Sequence, residues 1–268
     1  MSLPPLERVV YGPVRSRRLG ASLGINLLPA GMKVCNMDCA YCQYGRSHEA
    51  GRRHDHGARW PSAEDVVTAV GARLEDAAAR DEIIDRLTIA GHGEPTLHPE
   101  FEEVVSGLRE LRDRISPGLP IAVLSNSTTI LWPDVHRALL RVDERHMKLD
   151  AGDPVTFARL NGGATSIRDV IDGLRTLFPL TVQSMFVHDR NQGADNSTDA
   201  AVEHWLWALE TARAEKVHVY TIDRRPALDS LEPVPARRLR EITEQVRAIG
   251  IAAEYFPSRH EPGRTRRP

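Results

Sequence analysis

Three cysteines lie within eight residues of one another, and they are the only cysteines in the 268-residue chain. They are Cys35, Cys39 and Cys42, separated by three and then by two residues. A loop with these spacers surrounds a compact inorganic core from three sides. A [4Fe–4S] cluster normally takes four thiolates, so three cysteines leave one iron open to a molecule other than protein. The spacing therefore predicts a [4Fe–4S] site that is suited to chemistry as well as to electron transfer.

Zinc, a disulfide and ordinary core cysteines are the alternatives for these thiols. A structural zinc site closes with four ligands, usually as two separated pairs. Here His48, or His54 together with His56, would have to complete the set, and the spacing does not resemble a zinc finger or ribbon. Three closely spaced thiols disfavour a disulfide, and core cysteines would be scattered along the chain. A second metal at the histidines is the less favoured hypothesis.

The run C-x3-C-x-aromatic-C, in which Tyr41 is the aromatic residue, resembles the signature of the radical S-adenosylmethionine (SAM) enzymes. The segments GPVRSRRLGASLGINLLP, GHGEPTLHPEF, SNST and KLDAGDPVTFARLNG look like a branch of iron–sulfur oxidoreductases. That branch is related to the tRNA wyosine-synthesis enzyme and, more distantly, to the molybdopterin-biosynthesis radical enzyme. The resemblance extends from about Tyr11 to about Arg225. It implies two cofactors, a [4Fe–4S] cluster and SAM, and a low-potential electron donor of the flavodoxin or ferredoxin type.

Composition agrees with one cytoplasmic enzyme. The formal net charge of −2 predicts no global attraction to nucleic acid or to an anionic membrane. No apolar run approaches the roughly 20 residues that span a bilayer, and the N-terminus lacks the pattern of a signal peptide. Free cysteines favour a reducing compartment. We expect an N-terminal extension (1–20), one core domain (21–257) and a mobile basic tail (258–268).

Strand and helix patterns alternate along the core. The predicted strands are Ser22–Leu28, 86–93, Ile121–Ser127, Arg145–Ala151, Leu180–Val187, Lys216–Ile222 and Ile251–Phe256. The predicted helices are one from Ser62, with Asp65 closing a capping box, and then Pro99–Arg114, Asp134–Arg141, Ser166–Phe178, Asp199–Ala214 and Pro235–Ile249. Right-handed helical crossovers make such strands parallel. The pattern predicts an α/β fold, a partial TIM-like (β/α)6 barrel, which the resemblance also implies.

Polar residues and glycines recur where the predicted strands end, the edge at which parallel barrels bind ligands. They are Gly91, Gly93 and Glu94, then Ser125 and Asn126, Lys148 and Asp150, Gln183, and Tyr220 to Asp223. The glycines allow a close backbone approach, and the resemblance implies that this segment contacts the amino group of SAM, with Glu94 complementing the ammonium. For Ser125 and Asn126, hydrogen bonds to the ribose or the carboxylate compete with a simple turn that ends the strand.

Lys148 is predicted to neutralise the methionine carboxylate of SAM or a substrate anion, and Asp150 to hold ribose or substrate. A structural Lys–Asp pair is the alternative. Gln183 and Tyr220 are candidates for ribose and adenine contacts, and Tyr41 is expected to lie against adenine.

A basic cluster and a tryptophan pair complete the candidates. Arg15, Arg17 and Arg18 would bind a substrate or SAM anion, or would form ordinary solvated surface. Trp205 and Trp207 are predicted to pack together on one helix face.

Three functional classes follow. The preferred one is a radical SAM enzyme that acts on a small molecule, since no cysteine remains for the additional cluster of the wyosine and molybdopterin enzymes. The second is a tRNA-modifying radical SAM enzyme, and the third is a non-catalytic iron–sulfur or SAM-sensing protein.

Overall fold

The computed structural model describes residues 3–45, 59–191 and 193–259. These residues form two compact units. The described part of the first unit comprises Pro4–Asn36 and 59–147, and that of the second comprises Leu3, 37–45 and 148–259. Cys35 therefore belongs to the first unit, and Cys39 and Cys42 belong to the second.

Strands of the first unit follow one another in chain order. They are β1 (Val10–Ser16), β2 (Gly20–Ile25), β3 (Arg86–Ile89), β4 (Ile121–Ser125) and β5 (Glu144–Lys148), whose last residue already belongs to the second unit. β1 is antiparallel to β2, while β2, β3, β4 and β5 pair in parallel. Side chains on β2 and β3 are almost completely buried, as expected for parallel strands covered on both faces.

Helices of the first unit are α1 (Ala63–Ala79), a 3-10 turn (Pro95–Leu97), α2 (Phe101–Ile115) and α3 (Pro133–Arg141). The predicted capping box is confirmed, because the Ser62 side chain accepts from the Asp65 N–H and the Asp65 side chain accepts from the Ser62 N–H. α1 and α2 bury their apolar faces, so the local sequence signals and the tertiary packing agree.

The second unit begins with two short helices, α4 (Pro154–Leu160) and α5 (Ile167–Leu174). They are followed by β6 (Thr181–Asp189), α6 (Asp199–Ala212), β7 (Lys216–Thr221), β8 (Leu231–Pro233), α7 (Ala236–Ala248) and β9 (Ala252–Phe256). β6 pairs in parallel with β7, and β7 pairs in parallel with β9. β8 is a short antiparallel addition to β6.

The predicted alternation of parallel strands and helices is confirmed in both units. Four elements escaped prediction: β1, the 3-10 turn, α4 and β8. β1 contains Gly12 and Pro13, two residue types that are uncommon inside strands, so its sequence does not predict a strand. α4 has only seven residues, which are too few to show a repeating helical pattern of apolar residues. The helix predicted to extend to Phe178 ends at Leu174.

Two further expectations meet different outcomes. Trp205 is buried in α6, but Trp207 is 59 % exposed, so the prediction that both pack on one face is wrong for Trp207. Their spacing of two residues explains this, because neighbours on a helix face are three or four apart.

The division into extension, core and tail stays a prediction, and residues 260–268 lie outside the described residues. Within the described chain, no helix is long and apolar enough to cross a membrane.

Candidate functional site

All three cysteines carry free thiols, and each is partly exposed. Within residues 3–45, 59–191 and 193–259, no group of three or more His, Cys, Asp and Glu side chains is arranged around a single metal ion. In a [4Fe–4S] cluster each thiolate binds a different iron, so the ligands need not converge on one point. The predicted second site at His48, His54 and His56 lies outside the described residues.

Cys35 lies beside a ring of neutral side chains in the first unit. The Nδ2 atom of Asn126, which directly follows β4, is 3.7 Å from Cys35 Sγ and 2.8 Å from Asn36 Oδ1. Thr128 donates its hydroxyl to Asn126 Oδ1 over 2.7 Å and accepts from Asn36 Nδ2 over 2.7 Å. These contacts hold the Asn126 amide with a donor directed at the sulfur.

Glu94 lies behind Asn126 and is 1 % exposed. Its Oε2 accepts the Asn126 N–H over 2.6 Å, and its Oε1 accepts from the Thr96 N–H over 3.1 Å and from the Thr96 hydroxyl over 2.6 Å. Burial raises the pKa of the Glu94 carboxyl, although these donors lower it. In the described structure Glu94 therefore positions the residue that contacts Cys35. Its contact with the ammonium of SAM stays a prediction.

The glycines of the GHGEP segment are required by the chain itself. A Cβ on Gly93 would lie 1.8 Å from the carbonyl oxygen of Val34, and one on Gly91 would lie 2.1 Å from Asn26 Oδ1. The Glu94 N–H donates to the same Val34 carbonyl over 2.9 Å. A close approach of this backbone to SAM was predicted and stays a prediction. In the described structure the group that approaches Gly93 is the Val34 carbonyl, in the segment that leads into Cys35.

Ser125 forms the turn that ends β4. Its hydroxyl accepts the N–H of Ser127 over 3.0 Å, and Ser127 has a φ of 72°, in the left-handed region. These contacts favour the turn interpretation for Ser125. In the same turn Asn126 Oδ1 accepts the Thr128 N–H over 3.0 Å, which leaves its Nδ2 directed at Cys35.

The loop that carries Cys39 and Cys42 is hydrogen-bonded to the end of α4 in the second unit. The N–H of Asp38 donates to Asn161 O over 3.0 Å, and the N–H of Ala40 donates to Leu160 O over 2.8 Å. At the start of α4, Asp153 accepts from two backbone N–H groups, and Pro154 occupies the first turn. This short helix thus fixes the backbone of the cysteine loop.

A buried charged network surrounds Asp150. Its Oδ1 accepts from Lys148 Nζ over 2.7 Å and from the Met185 N–H over 2.8 Å. Its Oδ2 accepts from the Tyr41 hydroxyl and, over 2.9 Å, from Asn161 Nδ2. All four acceptor positions of the carboxylate are used, which is the condition for keeping a buried charge.

Lys148 joins the two tyrosines of this network. Its Nζ donates to Tyr220 Oη over 2.9 Å and lies 4.9 Å from the ring centre of Tyr41 and 5.0 Å from that of Tyr220. Burial lowers the pKa of Lys148, but Asp150 and Tyr220 outweigh it, so its pKa is raised and the ammonium is charged at neutral pH. The pKa of Tyr41 is raised well above its ordinary value, first by burial and then by Asp150, so the phenol stays neutral.

Asn161 connects this network to Cys39. Its Nδ2 is 3.5 Å from Cys39 Sγ and 3.2 Å from Tyr41 Oη. Desolvation by the surrounding protein, and next the charge of Asp150, raises the pKa of the Cys39 thiol to about 11, while Asn161 and Tyr41 lower it.

Four residues predicted from strand ends and from the cysteine motif come together here: Tyr41, Lys148, Asp150 and Tyr220. The Lys–Asp pair weighed as a structural alternative is present. Gln183 is buried on β6, and its backbone carbonyl accepts the Leu149 N–H over 3.4 Å. Its contact with a ligand stays a prediction. Asn161 was missed, because the only local signal, Asn-Gly after an apolar run, indicates a helix end.

The basic cluster lies at the other end of the first unit's strands. Arg15, Arg17 and Arg18 belong to the β1–β2 hairpin, before β2 begins, whereas Cys35 and Asn126 lie where the parallel strands end. A six-residue strand spans about 20 Å. This strand direction disfavours contact between these arginines and an anion at the cysteine site, and Arg15 and Arg17 are exposed. Their binding of a SAM or substrate anion stays a prediction.

Comparison with known proteins gives a consistent result. The sequence model of the Radical SAM superfamily matches residues 31–229. A UPF0026 protein of Methanocaldococcus jannaschii is 36 % identical over 154 residues, which are 57 % of this chain and 44 % of that protein. The chain thus spans less than half of this relative.

Two solved structures share the fold. A radical SAM methyltransferase from Sphaerobacter thermophilus matches with a TM-score of 0.63 at 18 % identity, covering 89 % of this chain and 66 % of that one. A structure of TYW1 with a lysine-pyruvate adduct bound matches with a TM-score of 0.59 at 15 % identity, covering 85 % of this chain and 73 % of that one. The cofactors of the superfamily are a [4Fe–4S] cluster and SAM, and three free thiols with amide donors beside two of them fit such a cluster. The chain, with its α/β radical SAM fold and its matching cysteine motif, belongs to the radical SAM superfamily.

Proposed function

We propose that this protein binds a [4Fe–4S] cluster through Cys35, Cys39 and Cys42 and binds SAM at the open iron. It cleaves SAM reductively and removes a hydrogen atom from a small-molecule substrate. The observation that carries the proposal is the motif of three free thiols inside the region that matches the superfamily. Donors next to two of the sulfurs support it, because Fe–S clusters are commonly hydrogen-bonded at sulfur.

When bound, the cofactor pair would supply the difficult chemistry: with one electron from the donor, SAM would give methionine and a 5′-deoxyadenosyl radical that takes a hydrogen atom from a C–H bond of the substrate. The chain holds the reactants. Lys148 remains cationic, and its ammonium complements a carboxylate of SAM or of the substrate. Asp150 and the two tyrosines keep that ammonium in one position, so binding an anion costs little reorganisation.

A small molecule is the preferred substrate class, because the sequence has no cysteine for a further cluster. The tRNA alternative relied in part on the basic cluster, and those arginines lie at the opposite end of β2 from Cys35. We further propose a low-potential flavodoxin or ferredoxin as electron donor and the cytoplasm as the location. The free thiols support a reducing compartment.

The test is anaerobic. Protein reconstituted with iron and sulfide is given SAM and a strong reductant, and 5′-deoxyadenosine is measured by mass spectrometry. We expect product from the wild type and from Trp207→Ala, an exposed position on α6, and none from Cys39→Ala. A fully loaded wild-type cluster that gives no product, also with candidate substrates, would leave only the iron–sulfur or SAM-sensing alternative.

The substrate class requires a second experiment. Deuterium transfer from labelled metabolites into 5′-deoxyadenosine identifies a small-molecule substrate. Binding of tRNA with a steep dependence on salt concentration, the mark of phosphate contacts, would instead favour the RNA alternative.

A further inference from the structure

Two side-chain amides donate N–H groups to cysteine sulfurs, one in each unit. Asn126 Nδ2 is 3.7 Å from Cys35 Sγ, and Asn161 Nδ2 is 3.5 Å from Cys39 Sγ. Hydrogen bonds to sulfur are among the features that set the reduction potential of an iron–sulfur cluster. A donor stabilises the more negative reduced cluster more than the oxidised one, because the sulfur ligands carry more negative charge after reduction. Each amide therefore raises the potential.

Asn161 is the more firmly held of the two. It is 2 % exposed, and its Nδ2 is 2.9 Å from Asp150 Oδ2 and 3.2 Å from Tyr41 Oη. Its backbone carbonyl accepts the Asp38 N–H. The two hydrogens of one amide are thus directed at a carboxylate, a phenol oxygen and a sulfur. A buried donor with fixed partners keeps its direction when the charge on the sulfur changes.

We infer that Asn161 is a positioning residue that fixes the Cys39 thiolate and raises the reduction potential of the cluster, and that Asn126 acts in the same sense at Cys35. The inference rests on the proposed function, since it requires the cluster. It assigns a task to Asn161, which belongs to neither the cysteine motif nor a strand end.

A purely structural role for Asn161 is the competing explanation. The end of α4 holds the cysteine loop through backbone carbonyls of Leu160 and Asn161, and these bonds do not depend on the Asn161 side chain. A side-chain substitution can therefore remove the donor and keep the backbone contacts. A structural role would change how much cluster is loaded, and it would leave the potential of the loaded clusters unchanged.

The experiment is a redox titration of reconstituted protein, with the reduced cluster followed by electron paramagnetic resonance. For Asn161→Leu we expect about a tenfold fall in the ratio of reduced to oxidised cluster at a fixed potential, which is ~59 mV for a one-electron couple. Asn126→Leu should shift the potential in the same direction by less, because Asn126 is more exposed. Asn161→Gln retains an N–H donor and should recover part of the shift.

Asn196→Leu is the matched control. Asn196 is also a buried amide of the second unit, but it donates to the carbonyl oxygens of Asp150 and Met185. An unchanged potential in Asn161→Leu, or an equal shift in Asn196→Leu, would overturn the inference while the proposed function stands. If Asn161→Leu loads no cluster, the same criterion is applied to Asn126→Leu, which also removes an N–H donor to a cysteine sulfur. A wild type that forms no cluster would overturn the proposed function and this inference with it.

Discussion

Cys35 and Cys39 are four positions apart in the sequence, yet their surroundings are built from different chemistry. Beside Cys35 the polar groups are neutral and half-exposed: Asn36, Asn126 and Thr128. Beside Cys39 they include the buried Asp150 and Asn161 and the partly buried Lys148, whose ammonium lies 2.7 Å from the Asp150 carboxylate. The first arrangement depends on the shape of the backbone, and the second depends on charge balance.

This difference predicts different sensitivities. A neutral amide ring near water loses little when one member is removed, because water replaces the lost partner. A buried ion pair that loses one partner leaves a charge with nothing to balance it. Substitutions around Cys35 should therefore act mainly through the backbone, and substitutions around Cys39 should act through electrostatics.

The largest expected effect tests the charge balance directly. Asp150→Asn leaves the Lys148 ammonium without its counter-charge, and breaking a buried pair in this way costs about 3–5 kcal/mol. We expect the free energy of unfolding, measured in urea, to fall accordingly, and the double variant Asp150→Asn/Lys148→Met to recover part of the loss. Asn126→Ala should cost less than Asp150→Asn. Equal losses of unfolding free energy in Asp150→Asn and Asn126→Ala would contradict the proposed difference between the surroundings of Cys39 and Cys35.

Backbone shape at Cys35 is tested by Gly93→Ala. Its Cβ would meet Val34 O, a backbone atom that cannot rotate away, so we expect a loss of about 1–3 kcal/mol and a lower iron content after reconstitution. Gly71→Ala is the matched control, because there the nearest atom is 3.3 Å away on the Leu111 side chain. Full iron loading and wild-type stability of Gly93→Ala would contradict the backbone explanation.

A smaller effect is expected where α4 begins. Asp153→Ala removes the cap of the helix that holds the Cys39 loop and should cost about 1 kcal/mol at neutral pH. Burial raises the pKa of Asp153, but the donors from Thr156 and Val155 outweigh it, and the net pKa is lowered. Because the folded pKa is depressed, the contribution of the charged cap is complete above about pH 4 and decreases as the pH falls through the folded pKa. Urea unfolding at pH 7 and at low pH should thus show that the difference in free energy of unfolding between wild type and Asp153→Ala decreases in acid. A difference that does not depend on pH would contradict a charged cap at Asp153.

The smallest effect belongs to the basic hairpin. Arg15→Gln should change stability by less than about 0.5 kcal/mol, as is usual for exposed side chains, and should leave SAM binding unchanged. Equilibrium dialysis with labelled SAM measures the second quantity. Weaker SAM binding would place this hairpin closer to the cysteine site than the strand direction indicates.

Local and repeating signals in the sequence predicted much of this molecule. The Ser62–Asp65 capping box depends only on residues three apart, so the sequence alone predicts it. The rule that ligands bind where parallel strands end selects Lys148, Asp150 and Tyr220 from the sequence. Asn161 could not be predicted, because it meets Cys39 from 122 residues away. The same limit applies to Gly93, whose neighbour Val34 is distant in the chain. The short helix α4 is fixed by its cap and by the loop it holds, and neither produces a repeating apolar pattern.

β1 has a consequence for association between molecules. It ends the order of strands in the first unit, where an exposed strand edge invites pairing with another chain. Its register with β2 shifts between Tyr11 and Val14, and this stretch contains Pro13, which has no N–H to donate, followed by the exposed Arg15. An incoming strand would find an interrupted ladder and a positive charge. The irregular strand that propensity failed to predict thus presents an edge that disfavours pairing with a strand of another copy.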